Sequence, residues 1–177
     1  MLDVPVLETS RLRMRGHQLS DFENSARLWG DPAVTQYIRE KPFTPEESWS
    51  RLLRHAGHWA LLGFGMWVVE DKSSGAFVGD VGFLDLRRDL DPPVDLAPEV
   101  GWVLTPSAHG QGYATEAVQA ALAWGDEKFD RARTTCIIAP QNQRSIRVAE
   151  KCGFRESMKV KYHGTELLLL ARDLGKG

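Results

Sequence analysis

Between positions 99 and 125 the chain sets out a strand, a glycine turn and a helix in direct succession. Glu99-Val100-Gly101-Trp102-Val103-Leu104 has the β-branched and aromatic content of a strand. His109-Gly110-Gln111-Gly112-Tyr113-Ala114 follows, a turn with two glycines. Ala114, Ala117, Val118, Ala121, Leu122 and Gly125 then recur at helical spacing. A short strand at 134–139 comes next, apolar enough to be buried on both faces. Strand, helix and strand in this order make a parallel crossover.

The rest of the chain allows no second crossover. Positions 10–18 alternate, with Leu12 and Met14 facing one way and Arg11, Arg13 and Arg15 the other. Ser20-Asp21 starts a helix that Gly30-Asp31-Pro32 stops. Thr44-Pro45-Glu46-Glu47 starts another, with Trp49, Leu52, Leu53, Ala56 and Trp59 on its apolar face. Segments 64–70 and 76–86 read as a hairpin, and a Pro- and Asp-rich loop spans 87–98. A helix at 142–152 and a closing hairpin at 154–162 and 165–172 complete the chain. The predicted fold is α/β (α+β), a mixed sheet in one domain over 1–177, with no repeat or linker to divide it.

The glycine turn supports two readings, a phosphate site or a simple helix cap. Glycines admit a ligand close to the backbone, and the first N–H groups of a helix have no helical acceptors. No Lys-Ser/Thr pair follows the glycines, which excludes a Walker loop. A dinucleotide fingerprint needs a small residue where Thr115 stands and an acid after the next strand, where Ala139-Pro140-Gln141-Asn142 has none. A pyrophosphate ligand other than NAD fits better.

A net charge of −2 argues against nucleic-acid binding by bulk electrostatics. The first residues lack a signal-peptide pattern, the longest apolar stretch is too short to span a membrane, and two cysteines make no disulfide scaffold. A cytoplasmic protein is the expectation.

Several motifs together resemble the GNAT acetyltransferases, in particular the RimJ/RimL-type branch that includes ribosomal-protein N-terminal acetyltransferases. They are Leu7-Glu8-Thr9-Ser10-Arg11-Leu12, Phe77-Val78-Gly79-Asp80-Val81-Gly82, the stretch 99–117, Asn142-Gln143-Arg144-Ser145, and Glu150-Lys151-Cys152-Gly153-Phe154. One departure is His109, where the family's phosphate loop often begins with Arg or Gln. The resemblance implies a mostly antiparallel sheet splayed between its fourth and fifth strands, helices on both faces, and acetyl-CoA as co-substrate. Trp102, Val103 and Leu104 would contact the pantetheine arm, and the loop from His109 and Gly110 through Gln111, Gly112, Tyr113, Ala114 and Thr115 would hold the pyrophosphate. Asn142 matches a position that contacts pantetheine, and it also suits a helix N-cap.

The implied reaction is direct acetyl transfer to a primary amine, either a protein N-terminus or a small amine. Glu99 is the first candidate base, otherwise a solvated strand-end acid, with Asp80 and Asp85 behind it. The family's usual tyrosine acid is absent, Ala149 standing in its place, and Ser145 would donate a hydrogen bond to the sulfur or else serve the helix's first turn. A lysine-type amine with a pKa near ~10.4 is about one part in a thousand neutral near pH 7.4, against roughly a quarter for an α-amine.

Rival readings are a non-catalytic acetyl-CoA sensor and an NAD-type nucleotide-binding enzyme. No nucleic-acid or membrane partner is expected, and a homodimer is the assembly frequent among similar proteins. No metal site is expected, because His55 and His58 at i, i+3 lack a third ligand. Cys136 and Cys152 read as packing residues, and Trp29 and Trp49 as core or as walls of an acceptor slot.

Charge is unevenly spread. Positions 70–99 carry eight acids against three bases, and positions 131–161 eight bases against two acids. Either this is scattered solvated charge, or the basic segment serves coenzyme phosphates and the acidic one a cationic amine.

Overall fold

The computed structural model describes residues 4–96, 98–129 and 133–173. Arg131 of the basic segment and the first three residues of the N-terminus lie outside the described residues. Nine strands form one sheet: β1 (Leu7–Glu8), β2 (Leu12–Arg15), β3 (Met66–Asp71), β4 (Phe77–Leu84), β5 (Leu90–Asp91), β6 (Glu99–Leu104), β7 (Arg133–Ile138), β8 (Arg155–Tyr162) and β9 (Thr165–Asp173). Their spatial order is β1-β2-β3-β4-β6-β7-β9-β8-β5. Five helices accompany them: α1 (Phe22–Gly30), α2 (Pro32–Thr35), α3 (Pro45–Leu62), α4 (Tyr113–Lys128) and α5 (Gln143–Lys151).

Every neighbouring strand pair is antiparallel except β6 with β7, the crossover that carries α4. The expected mixed sheet is therefore present. That parallel pair is in register at Glu99 and Thr135 alone. On its other side β6 is registered with β4 along its whole length, from Leu104 opposite Gly79 to Glu99 opposite Leu84. The two strands thus part beyond Glu99 and leave one edge of β6 open, which is the splay implied by the sequence.

Alternation along β4 and β6 sorts their side chains onto two faces. Val81, Phe83, Val100 and Leu104 join Ala117, Val118, Ala121 and Leu122 of α4 in the main core. Edge-to-face contacts among Trp59, Trp67, Trp124, Phe83 and Phe129 extend that core. Asp80, Gly82, Glu99, Gly101 and Val103 occupy the opposite face, which α1 and α3 cover.

Three local expectations change. The first strand is shorter than 10–18, because Thr9 turns the chain back onto Leu12 and separates β1 from β2. The predicted loop at 87–98 contains β5, which pairs with the far end of β8. The inner stripe of α3 is Ser48, Leu52, His55, His58 and Trp59, while Trp49 and Leu53 are 38% and 48% exposed. The buried stripe is rotated from the apolar reading, with Arg51 stacked on Trp29 and the His55 ring against His17. Trp49 packs edge-on against Phe22 at the flank instead. No described helix is long and apolar enough to cross a membrane.

Candidate active site

Gly110 and Gly112 both take left-handed backbone conformations, with φ of 75° and 81°, which costs a residue with a Cβ about 1–2 kcal/mol. This pair of reversals turns the chain from β6 into α4. Among the described residues, the amides of Gly110, Gln111, Gly112, Tyr113, Ala114 and Thr115 have no backbone acceptor; the first one to find a partner is Glu116, on the Gly112 carbonyl. Successive free N–H groups at a helix N-terminus form a nest for an anion. Six predicted phosphate-loop residues are thereby brought together.

Side chains brace this loop rather than fill it. Gln111 donates from Nε2 to the Ser107 carbonyl at 2.6 Å, and the Tyr113 hydroxyl donates to Asp71 at 2.8 Å. His109 places Nε2 3.1 Å from the Leu104 carbonyl and Nδ1 3.3 Å from an Arg144 nitrogen, so it links the end of β6 to α5. Arg11, for which sequence reasoning named no role, donates to the Gln111 carbonyl at 2.9 Å and lies over the Tyr113 ring. Glu116 accepts from Ser10, from the Arg11 amide and from Arg11 Nε, as well as from Thr9. Burial alone would raise the Glu116 pKa, but the bonds from Thr9, Arg11 and Ser10 outweigh it and bring it down to about 2.

Across the opening, α5 begins at Asn142, whose Oδ1 accepts from the Ser145 amide at 3.2 Å. Asn142 is therefore a helix N-cap. The Ser145 hydroxyl has no partner among the described residues and is half-buried at the first turn. Trp102 and Val103 are half-buried along the open edge of β6, and Leu104 is buried against α4.

Glu99 stands where β6 and β7 part. It is 5% exposed, so it is no solvated strand-end acid, and Arg88 grips it with two bonds of 2.7 and 3.0 Å. Arg88 itself packs over the Tyr162 ring. Nothing in the local sequence pointed to Arg88, because its meeting with Glu99, eleven positions on, is made only by folding.

On the same face, Asp80 is fully buried and accepts from Trp29 Nε1 at 3.3 Å, with His17 Nε2 3.0 Å away. His55 lies against His17, ring centroids 4.8 Å apart. Both His55 nitrogens and His17 Nδ1 lack partners. Burial first, then the neighbouring charges, hold the His55 pKa well below its ordinary value, so His55 is neutral. Ligand atoms of His17, His55 and Asp80 lie within 4.8 Å of one another. A tetrahedral zinc ion with bonds near 2.0 Å holds its ligands about 3.3 Å apart, so the set as it stands is a hydrogen-bonded pair with a neighbour. His58 stands apart from this set, its ring nitrogens bonding the Arg54 and Asp85 carbonyls. Trp29 lines this face and Trp49 does not.

The split in charge also dissolves on folding. Within the acidic segment Glu70 pairs with Arg15, Asp71 with Ser73, Ser74 and Tyr113, Asp80 with His17, Asp85 with Arg87, and Glu99 with Arg88. Each of these five acids is engaged by its own partner, and Asp80 and Glu99 are buried on one face of the sheet. Of the basic segment, Arg144 reaches the cleft, whereas Lys159 pairs with Glu166 on the exposed hairpin. Cys136 and Cys152 are buried, and desolvation pushes the Cys152 thiol up to about 11.

Comparison with known proteins agrees with this geometry. Residues 11–155 match the acetyltransferase (GNAT) domain family. YkkB of Bacillus subtilis, itself uncharacterised, is 31% identical over 163 residues and 88% of each chain. The structure of a protein assigned to the GNAT acetyltransferases in Bordetella pertussis superposes with a TM-score of 0.81 at 32% identity, covering 95% of this chain and 99% of that one. RimL, the ribosomal L7/L12 α-N-protein acetyltransferase, solved with coenzyme A, shares the fold with a TM-score of 0.77 at 17% identity, covering 98% of this chain and 100% of that one. With the family model matched over most of its length and a relative 31% identical across 88% of it, the chain belongs to the GNAT acetyltransferase family.

Proposed function

We propose that the enzyme transfers acetyl directly from acetyl-CoA to a primary amine, with no metal and no acetylated enzyme. The run of free amides from Gly110 to Thr115, next to an open strand edge, carries this reading. A diphosphate there gains several charge-assisted N–H bonds. The pantetheine arm lies along Trp102, Val103 and Leu104 and passes Asn142. The thioester then reaches the point where β6 and β7 part, next to Glu99.

The amine lone pair attacks the acetyl carbonyl carbon, the C–S bond breaks, and the amine proton leaves. Glu99 receives that proton, directly or through a water, which requires Arg88 to release one of its two bonds. The Ser145 hydroxyl donates to the sulfur as negative charge gathers there. N-acetyl amine and coenzyme A thiolate leave this step; the thiolate takes a proton from solvent and Glu99 gives its own back to solvent, so the thiol is the net product.

Thiol release from acetyl-CoA, followed against a pool of amines, tests this directly. Acceptor-dependent release is expected, and Glu99→Gln should lower kcat and flatten the rise of rate with pH. Tight acetyl-CoA binding without acceptor-dependent thiol would instead make the protein a sensor. An unchanged pH profile in Glu99→Gln would remove Glu99 from the role of base.

A further inference from the structure

The face of α3 turned toward the proposed acceptor side carries a cation that no carboxylate among the described residues bonds. Arg51 stacks over Trp29 at 3.8 Å and over Phe43 at 4.4 Å. Its Nε is buried without a partner, and among the described residues its guanidinium forms no hydrogen bond or ion pair. Burial above all, and then the repulsion of Arg54, outweighs the attraction of Asp80 and brings its pKa down to about 9. A desolvated guanidinium without a counter-anion is costly, and proteins rarely leave one so.

The surroundings show where the missing anion belongs. Arg51 lines an open cavity of about 460 Å³ together with Phe43, Glu46, Glu47, Ser50 and Arg54. Glu47 does not neutralise it, because one carboxylate oxygen accepts from Arg39 and the other from the Thr44 amide. Glu46 is exposed on the first turn of α3. Asp80, the buried carboxylate nearby, is already bonded to His17 and Trp29. From this cavity a line of cations leads inward. Arg54 is near enough to Arg88 for their charges to repel, and Arg88 holds Glu99.

We propose that the acceptor is a small primary amine carrying a carboxylate, with its anionic group held by Arg51 in the α3 cavity while its amine faces Glu99. The proposal rests on the transferase reading above and names its substrate class. A guanidinium fixed by two aromatic rings presents its remaining N–H groups as a fork, the geometry that suits a carboxylate. A cavity of this size fits a small molecule better than a folded protein's terminus. It also departs from the cationic acceptor that the acidic segment suggested, since Glu70, Asp71, Asp80, Asp85 and Glu99 each already hold a partner.

The test compares matched amines by acetyl-CoA thiol release: α- and ω-amino acids, their amides, the decarboxylated amines, an aminoalkylphosphonate and spermidine. The carboxylate should exceed its amide in kcat/KM by about 30-fold or more, the loss expected when a buried charge pair is left half-made. The phosphonate arm distinguishes planar from tetrahedral anions, and a phosphonate preferred over every carboxylate would overturn the carboxylate assignment. Arg51→Gln should abolish the preference while leaving KM for acetyl-CoA unchanged, and Arg51→Lys should restore part of it. Equal or better use of amides or spermidine by the unmodified enzyme overturns the proposal but leaves the transferase intact. A preference that survives Arg51→Gln overturns it too. No thiol release with any amine, despite coenzyme binding, would overturn the transferase reading itself.

Discussion

The two sides we propose for the β6 cleft, one for coenzyme and one for acceptor, both present N–H donors, and they are built from different materials. On the coenzyme side the donors are backbone amides, exposed by two left-handed glycines and braced from behind by Arg11, Glu116 and Gln111. On the acceptor side the donors are side chains, Arg51 and Arg88, held by aromatic rings and by Glu99. A backbone site depends on conformation and tolerates changes of side chain. A side-chain site depends on the identity of each residue. This difference should separate the effects of mutations in the two regions.

The largest effect belongs to the acceptor side. Arg88→Met leaves the buried Glu99 carboxylate without its partner and should cost about 3 kcal/mol of stability by urea denaturation. The double variant Arg88→Met with Glu99→Leu should recover most of that stability and none of the turnover. Recovery of turnover would show that the pair is scaffolding.

Next comes the coenzyme side. Gly112→Val places a β-branched residue at φ of 81°, with its Cβ 3.4 Å from an Arg11 nitrogen. A conformational cost of about 1–2 kcal/mol should weaken coenzyme A binding roughly 10-fold by calorimetry. Normal affinity would mean that the loop's conformation is not what holds the diphosphate.

A smaller effect should appear in acid. The folded-state pKa of Glu116 is lowered from its ordinary 4.5 to about 2. Its contribution to stability is therefore present above pH 4.5 and is lost as pH falls toward 2. A pH series of thermal melts should show this loss in the parent, and Glu116→Gln should lack that part of the acid dependence. An identical series in the variant would place the network's value elsewhere.

The smallest effects should come from the loop's own side chains. His109→Ala and Gln111→Ala should each change coenzyme affinity by less than about 5-fold, because net hydrogen bonds of this kind are worth near 1 kcal/mol or less. A large loss in His109→Ala would give its contact with Arg144 a direct part in binding.

The same contrast explains what could be read from the residues alone. The coenzyme side is local in sequence: strand, glycines and helix follow each other within 99–125, so periodicity and turn chemistry expose it. The single parallel pair followed from that order as well. The acceptor side is assembled from distant positions: Arg51 from α3, Arg88 from a loop, Asp80 from β4 and His17 from beyond β2. Helical periodicity put Trp49 and Leu53 on the buried face of α3, because hydrophobicity was the only signal available. Contacts with residues distant in sequence, Arg51 over Trp29 and His55 against His17, lie on the buried side instead. Charge counted along the sequence failed for the same reason: pairing with remote partners, such as Glu70 with Arg15, is invisible to a local sum.

The most direct measurement is an amide chemical-shift titration of the protein with coenzyme A. The Gly110 to Thr115 amides should shift together, downfield and to one saturation point, while the Arg51 Nε–H signal stays in place. Shifts centred on the α3 cavity, with those six amides unmoved, would contradict the assignment of the two sides.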